Sequence, residues 1–295
     1  MPIQITKKLI QTLLPERPET GHKGTFGHVF VVGGSLGLTG AVKLAGLGAA
    51  RAGAGLVTLG VPESLMTIVG AQMLECMTFP LGESSSRSLA LSGLETALEF
   101  TANKNAVVLG PGCSRHPDTR EFVLGFIRKC PVPLLIDADG LNNLSTDVNS
   151  LKDAQAPLVV TPHPGEMGRL LNASTSEVQS DRAGVAAKFA AEYGCTVVLK
   201  GAGTIIASPG SDTYVNSTGN QGMGTGGTGD VLSGVIGGLM AQGLPDPEAS
   251  LAGVYVHGLA GDIAVTRKGS RGMIAGDLLE ALPDAWKELE RETFS

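Results

Sequence analysis

The segment GNQGMGTGGTGDVLSG, residues 219–234, puts seven glycines and a single acid, Asp230, into sixteen positions. Glycine at such density serves where the backbone takes positive φ or where another group lies against the main chain. The segment reads as a loop feeding a helix that begins near Thr228. The start of a helix offers unpaired N–H groups and the positive end of its dipole, which together attract an anion. Gly226, Gly227, Thr228 and Gly229 are thus candidates for an anion hole. The chemistry that suits them is phosphoryl transfer, in which charge spreads over the moving oxygens. Asp230 falls in the first helical turn, where a carboxylate either complements the dipole or serves as a general base. Gly224, Gly226 and Gly229 formally match G-x-G-x-x-G, but they neither follow a strand nor open a βαβ unit. A Walker A loop is absent, since Lys43 follows Val42 and Lys200 follows Leu199.

Other polar and small residues collect at the ends of apolar runs. HVFVVGG (28–34), GLVTLGV (55–61), AVVLG (106–110), VPLLID (132–137), PLVVT (157–161) and TVVLK (196–200) are almost continuously apolar. They read as buried strands of a parallel sheet. Helical segments over 40–52, 118–129 and 177–193 alternate with them, which implies βαβ units with right-handed crossovers. TIIAS and TYVNS predict a two-stranded excursion, and helices follow over 228–242, 247–267 and 275–290. The expected architecture is a three-layer α/β/α domain with a mostly parallel central sheet, spanning residues 1–295.

Ligands of such sheets bind beyond the carboxyl ends of the strands. GGSLGLTGAVK, LGPGCSRHPD, IDADGLN, TPHPGEMGRLL and LKGAGT fall there. Taken singly, these residues are ambiguous. Ala41 either starts a tightly packed helix or touches a ligand, and Gly110 and Gly112 flank Pro111 in a turn or a contact. His163, between two prolines, suits a crevice better than a core. Lys200 either snorkels from a strand end or meets a ligand. Asp139 and Asn142 fit helix caps, and Glu166 fits a first-turn acid. His22, His28, His116 and His257 show no metal-ligand spacing and read as structural.

Composition narrows the field further. A net charge of −6 and 4% aromatic residues argue against nucleic-acid binding. Hydrophobic residues make up 42% and charged residues 17%, as in a chain with a large buried core. Cys76, Cys113, Cys130 and Cys195 form no CxxC pair, which fits reduced thiols of a cytoplasmic enzyme. The opening MPIQITKKLIQTLLPERP is broken by Gln11 and Thr12 and does not read as a signal peptide. Lys43 and Arg51 interrupt the glycine- and alanine-rich run over 39–55, so no membrane span is expected.

Together, VVGGSLGLTGA, VLGPG, IDADGLN, TPHPGEMGRL, VVLKGAGTIIA and GNQGMGTGGTGDVLSG resemble the ADP/ATP-dependent NAD(P)H-hydrate dehydratases of the ribokinase-like superfamily. The likeness runs from about Gly24 to the final helix. Gln221 and Gly224 stand where that family has Pro and Ala. The resemblance implies repair of NADH or NADPH hydrated at C6. The S epimer is phosphorylated on its hydroxyl by ADP or ATP, and phosphate then leaves, with AMP as coproduct when ADP is used. By the same resemblance, Asp230 is the catalytic base and a substrate contact. Ala41, Gly112 and His163 touch the hydrated dinucleotide, while Lys200, Gly201, Ala202, Gly203, Thr204 and Gly229 hold the nucleotide. It implies Mg2+, a homo-oligomer such as a tetramer, and a functional partner epimerase on a separate chain. Metal ligands and the preference between ADP and ATP stay open. Two other readings remain: a thiazole- or pyridoxine-type small-molecule kinase, which would release a phosphorylated product, and a nucleotide sensor, which would not need Asp230.

Overall fold

The computed structural model describes residues 1–71 and 73–290. The chain opens with β1 (Ile3–Gln4), α1 (Lys7–Leu13), β2 (His28–Val32), α2 (Thr39–Arg51) and β3 (Leu56–Pro62). Next come α3 (Met66–Gly70), β4 (Met77–Leu81), α4 (Leu94–Thr101), β5 (Ala106–Leu109) and α5 (Pro117–Lys129). The middle holds β6 (Leu134–Ile136), α6 (Asp139–Leu144), β7 (Leu158–Val160), α7 (Pro164–Leu171), α8 (Thr175–Ser180) and α9 (Arg182–Tyr193). It closes with β8 (Thr196–Leu199), β9 (Ile205–Ala207), β10 (Tyr214–Val215), α10 (Thr228–Ala241), α11 (Asp246–Gly272) and α12 (Ala275–Glu290).

All ten strands join one sheet in the order β1-β10-β9-β8-β7-β6-β5-β2-β3-β4. From β4 to β8 every neighbouring pair is parallel. β9 pairs antiparallel with both β8 and β10, which is the expected two-stranded excursion. The apolar runs are buried on both faces because helices cover both. Along β2, Val29 and Val31 enter one core with residues of α2, α10, α11 and α12, while Phe30 and Val32 enter the other with α4 to α9. Each strand residue thus alternates between two apolar layers.

The sequence reading differs from the structure at several elements, α3 and α4 among those it did not give. The helix expected over 177–193 is two helices, broken at Asp181 (φ −149°, ψ 70°), whose Oδ1 accepts from the Gly184 amide at 2.9 Å and caps α9. The helix expected over 247–267 runs to Gly272, with Gly269 leaving helical geometry at φ 71°. β4 escaped notice because Pro80 interrupts it and its residues are only partly buried at the sheet edge. β1 and α1 lie in a segment too short and polar to show a period.

The helix that carries Asp230 is seated by backbone contact. A Cβ built on Gly48 of α2 would stand 2.5 Å from the Val231 carbonyl oxygen of α10, and one on Gly238 would stand 2.8 Å from the Ala49 carbonyl. Side chains at these positions would push the two helices apart. Gly48→Ala should therefore lower stability by about 1–3 kcal/mol, the scale of overpacking. Gly40→Ala, on the same helix with nothing within 4 Å of its Cβ, should hold or raise the melting temperature. Thermal unfolding by circular dichroism compares the two. Equal melting temperatures would mean that α2 and α10 do not meet backbone to backbone.

Candidate active site

The sheet order decides which loops meet. β2, β5, β6, β7 and β8 are successive neighbours, and the loop leaving each one carries part of the predicted set. Ala41 follows β2 in the first turn of α2, and Gly112 follows β5. These two touch: a Cβ on Gly112 (φ 63°) would lie 3.1 Å from that of Ala41 and 2.6 Å from the Leu38 carbonyl oxygen. Asp137 and Asp139 follow β6, His163 and Glu166 follow β7, and Lys200 to Thr204 follow β8. At about 4.8 Å per strand, the row from β2 to β8 is about 19 Å long, enough to lie along a dinucleotide.

At the end of β6 the backbone is strained. Ala138, a non-glycine, sits at φ 50°, ψ −120°, a conformation kept only where the surroundings enforce it. It lets Asp137 and Asp139 diverge. Asp139 accepts from the Ser114 amide and the Asn142 side chain, both at 3.0 Å. Asp137 is 1% exposed. Its Oδ1 accepts from Lys200 Nζ at 2.7 Å and Thr161 Oγ1 at 2.8 Å, and its Oδ2 accepts from Ser233 Oγ at 2.5 Å.

His163 caps α7. Its Nδ1 accepts from the Gly165 and Glu166 amides at 3.0 and 3.3 Å, and Glu166 returns the bond by accepting from the His163 amide at 2.8 Å. With Nδ1 an acceptor, the ring proton of neutral His163 is on Nε2, 3.4 Å from Glu166 Oε1. Burial and the nearby Lys200 push the His163 pKa down, which favours the neutral ring. Glu166 Oε2 also faces Lys200 Nζ at 3.8 Å, and burial pushes the Glu166 carboxyl up. A continuous polar chain thus runs from His163 through Glu166, Lys200 and Asp137 to Ser233 on α10.

α10 begins as the glycine pattern predicts. Gly227, at φ 94°, is its N-cap and offers no side-chain cap, and the Val231 amide is bonded to the Gly227 carbonyl at 3.1 Å. The Thr228 hydroxyl donates to the carbonyls of Met223 and Thr225 at 2.9 and 3.0 Å, which folds the loop under the helix. Asp262 of α11 holds the other end, accepting from the Gly219 amide and the Asn220 side chain at 2.9 Å each. Asp230 stands in the first turn. Burial, with Asp137 beside it, raises its pKa to about 7, against the counter-pull of Lys200. The Lys200 ammonium lies over this turn, 3.5 Å from where a Cβ of Gly229 would be.

Beside this turn opens a cavity of about 610 Å3, lined by Lys200 to Thr204, residues 216–221, Thr228, Gly229 and the α11 residues Val254, His257 and Gly258. Gly201 and Gly203 reach φ 147° and 64° in its wall. Arg182 pins the same loop by donating to the carbonyls of Leu199 and Ala202 at 2.9 and 2.7 Å. His257, read from sequence as structural, does tie α11 to the Thr228 carbonyl at 2.8 Å, but it also faces the cavity. Its pKa falls to about 4 through burial, so the ring is neutral. The structure therefore brings Lys200, Gly201, Ala202, Gly203, Thr204, Thr228 and Gly229 around one space, with Ala41, Gly112 and His163 along the strand ends beside it. Sequence reasoning passed over Asp137, Thr161, Ser233, Arg182 and Asp262. Asp137 alone had a local signal, an acid closing an apolar run.

This arrangement suits a base-assisted transfer of a phosphoryl group between two bound molecules, one in the cavity and one along the strand ends. The NAD(P)H-hydrate dehydratase family model matches residues 29–284. A bifunctional NAD(P)H-hydrate repair enzyme of Moorella thermoacetica is 46% identical over 98% of this chain, which spans 54% of that relative, about half its length. An ADP-dependent (S)-NAD(P)H-hydrate dehydratase of Neisseria meningitidis is 37% identical, with 93% of this chain and 92% of the relative covered. Among solved structures, an ADP/ATP-dependent NAD(P)H-hydrate dehydratase from Bacillus subtilis, co-crystallised with ATP/Mg2+, superposes with a TM-score of 0.84 at 30% identity, covering 98% of this chain and 99% of that one. The fold is the three-layer ribokinase-like one, and the chain belongs to the NAD(P)H-hydrate dehydratase family.

Proposed function

We propose that this protein dehydrates the S epimer of C6-hydrated NADH or NADPH at the expense of ADP or ATP. One observation carries the reading. A carboxyl with its pKa raised to about 7 stands in the first turn of an uncapped helix, next in sequence to Gly229, which lines a nucleotide-sized cavity.

In this mechanism the hydrated ring lies along Ala41, Gly112 and His163 with its C6 hydroxyl toward Asp230. Asp230 accepts the hydroxyl proton while the oxygen attacks the terminal phosphorus of the nucleotide. AMP leaves when ADP is the donor. Amides of Gly226, Gly227, Thr228 and Gly229, with the Lys200 ammonium, take up the charge on the moving oxygens. The ring nitrogen lone pair then expels phosphate from C6, a proton leaves C5, and the double bond of the dihydropyridine is restored. Lys200 to Thr204 and Gly229 hold the nucleotide.

Among the described residues no cluster of three His, Cys, Asp or Glu side chains could hold a metal. Asp137 and Glu166 are turned to an ammonium instead. This donor set does not make a protein cage, and it fits magnesium that enters on the nucleotide's phosphates. We further assign residues 1–295 to one domain, since one sheet runs from β1 to β4. A cytoplasmic setting is supported by four buried, unpaired cysteines, and no helix of the described residues is long and apolar enough to cross a membrane. A homo-oligomer and a separate epimerase complete the proposal.

The direct assay is recovery of absorbance at 340 nm from hydrated NADH, with ADP and ATP in parallel. Because the base form of Asp230 is the carboxylate, kcat/KM should climb as pH rises toward about 7 and level off above it. Asp230→Asn should keep ADP affinity but lose about a hundredfold or more in kcat; near-normal turnover refutes the assignment.

Gly203 tests the nucleotide wall. It needs φ 64°, and a Cβ there would already lie 3.3 Å from Val215 Cγ2. Gly203→Val should raise KM for ADP more than it lowers kcat. A folded variant with unchanged KM would put the nucleotide elsewhere.

In-line attack also sets the stereochemistry. The two C6 epimers aim the hydroxyl differently from one bound ring, and an ångström of misplacement costs about a hundredfold in rate. Assayed alone, the protein should repair an epimer mixture in a fast phase, followed by a slow one at the rate of spontaneous epimerisation. Added epimerase should abolish the slow phase, and single-exponential recovery of the whole mixture without it counts against the geometry.

A further inference from the structure

We propose that Asp137 is a positioning residue for the reaction: its carboxylate ties the Lys200 ammonium and the first turns of α10 to the sheet, and so sets the place of both groups that face the moving phosphoryl. The inference rests on the reading of Asp230 as the base. Asp137 closes β6 in the middle of the sheet, and its two oxygens reach three other elements. Oδ1 takes Thr161 after β7 and Lys200 after β8, at 2.8 and 2.7 Å. Oδ2 takes Ser233, whose hydroxyl lies also 3.0 Å from the Gly229 carbonyl, the residue before Asp230. At 1% exposure, Asp137 is shielded by these partners and is poorly placed to touch substrate itself.

The arrangement has an electrostatic reason. Unpaired, a long lysine side chain at a strand end would extend to water. Held by Asp137, the Lys200 side chain is 18% exposed and its Nζ stands over Gly229. The same carboxylate confronts Asp230 with a like charge, which favours the proton-accepting readiness of that acid. The charged groups facing Asp230 are Asp137 after β6, Asp139 on α6, Glu166 on α7 and Lys200 after β8. His257, packed on the same turn from α11, is neutral.

Removing the charge at Asp137 should therefore do two things that mere loosening of the fold would not. In Asp137→Asn, the Asp230 carboxyl should titrate about one pH unit lower, read by 13C NMR of the carboxyl carbon that disappears in Asp230→Asn. Its kcat should fall by about a hundredfold, with KM for ADP near the wild-type value. Because Asp137 acts in part through Lys200, the double variant with Lys200→Met should lose less than the product of the two single losses. An unmoved Asp230 titration, or losses that multiply in the double variant, overturns the proposal. Should Asp137→Asn not fold, Ser233→Ala removes one hydroxyl and should cost about tenfold in kcat at unchanged KM for ADP, the worth of one hydrogen bond; full activity there overturns it equally. The NMR titration needs no substrate, so failure of wild-type turnover would sink the functional reading without deciding this one.

Discussion

Four carboxyl groups crowd one ammonium at the ends of the central strands, and the site depends on how that imbalance is held. Asp137, Asp139 and Glu166 all bear on Asp230 with like charge, and Lys200 is the opposing charge. Low-dielectric surroundings make each ionisation expensive. The protein meets the cost unevenly. Asp137 keeps three hydrogen-bond donors, Asp139 keeps two, and Glu166 shares a capping box with His163. Asp230 carries the remaining imbalance as a raised pKa. A helix N-terminus would by itself stabilise its anion, so desolvation and like charge win here.

That balance requires α10 to sit at a fixed depth. Glycines at the α2–α10 crossing let the backbones meet, and the two helices start beside the two ends of the proposed reaction, Ala41 on one and Asp230 on the other. Packing therefore links the substrate side to the phosphoryl side through close backbone contact.

What could be read beforehand followed from local physics. Continuous apolar runs are visible because a strand covered on both faces has no polar alternation. The start of α10 is visible because only glycine gives a loop of that freedom. The charge network was not visible, because its members stand far apart in the chain: Asp137 and Ser233 are separated by 96 residues, and Gly219 and Asp262 by 43. The break at Asp181 was hidden for a different reason. The apolar spacing runs on through it, and only the backbone turn that lets Asp181 cap α9 reveals two helices. Lys200 was grouped with the nucleotide loop on sequence, whereas its backbone lies in that loop and its ammonium among the acids.

The outer strand β1 has a consequence for synthesis. It pairs in parallel with β10, and the Ile5 carbonyl accepts from Ser217 Oγ at 2.9 Å across 212 positions of chain. Residues 216–218 belong to the cavity wall. During synthesis β1 is made before every other strand of this sheet and is thus among the last to find its place, waiting while the strands between it and β10 emerge and assemble. Until then the wall has a free edge, and a nascent chain that already owns most of its sheet still lacks a finished nucleotide chamber.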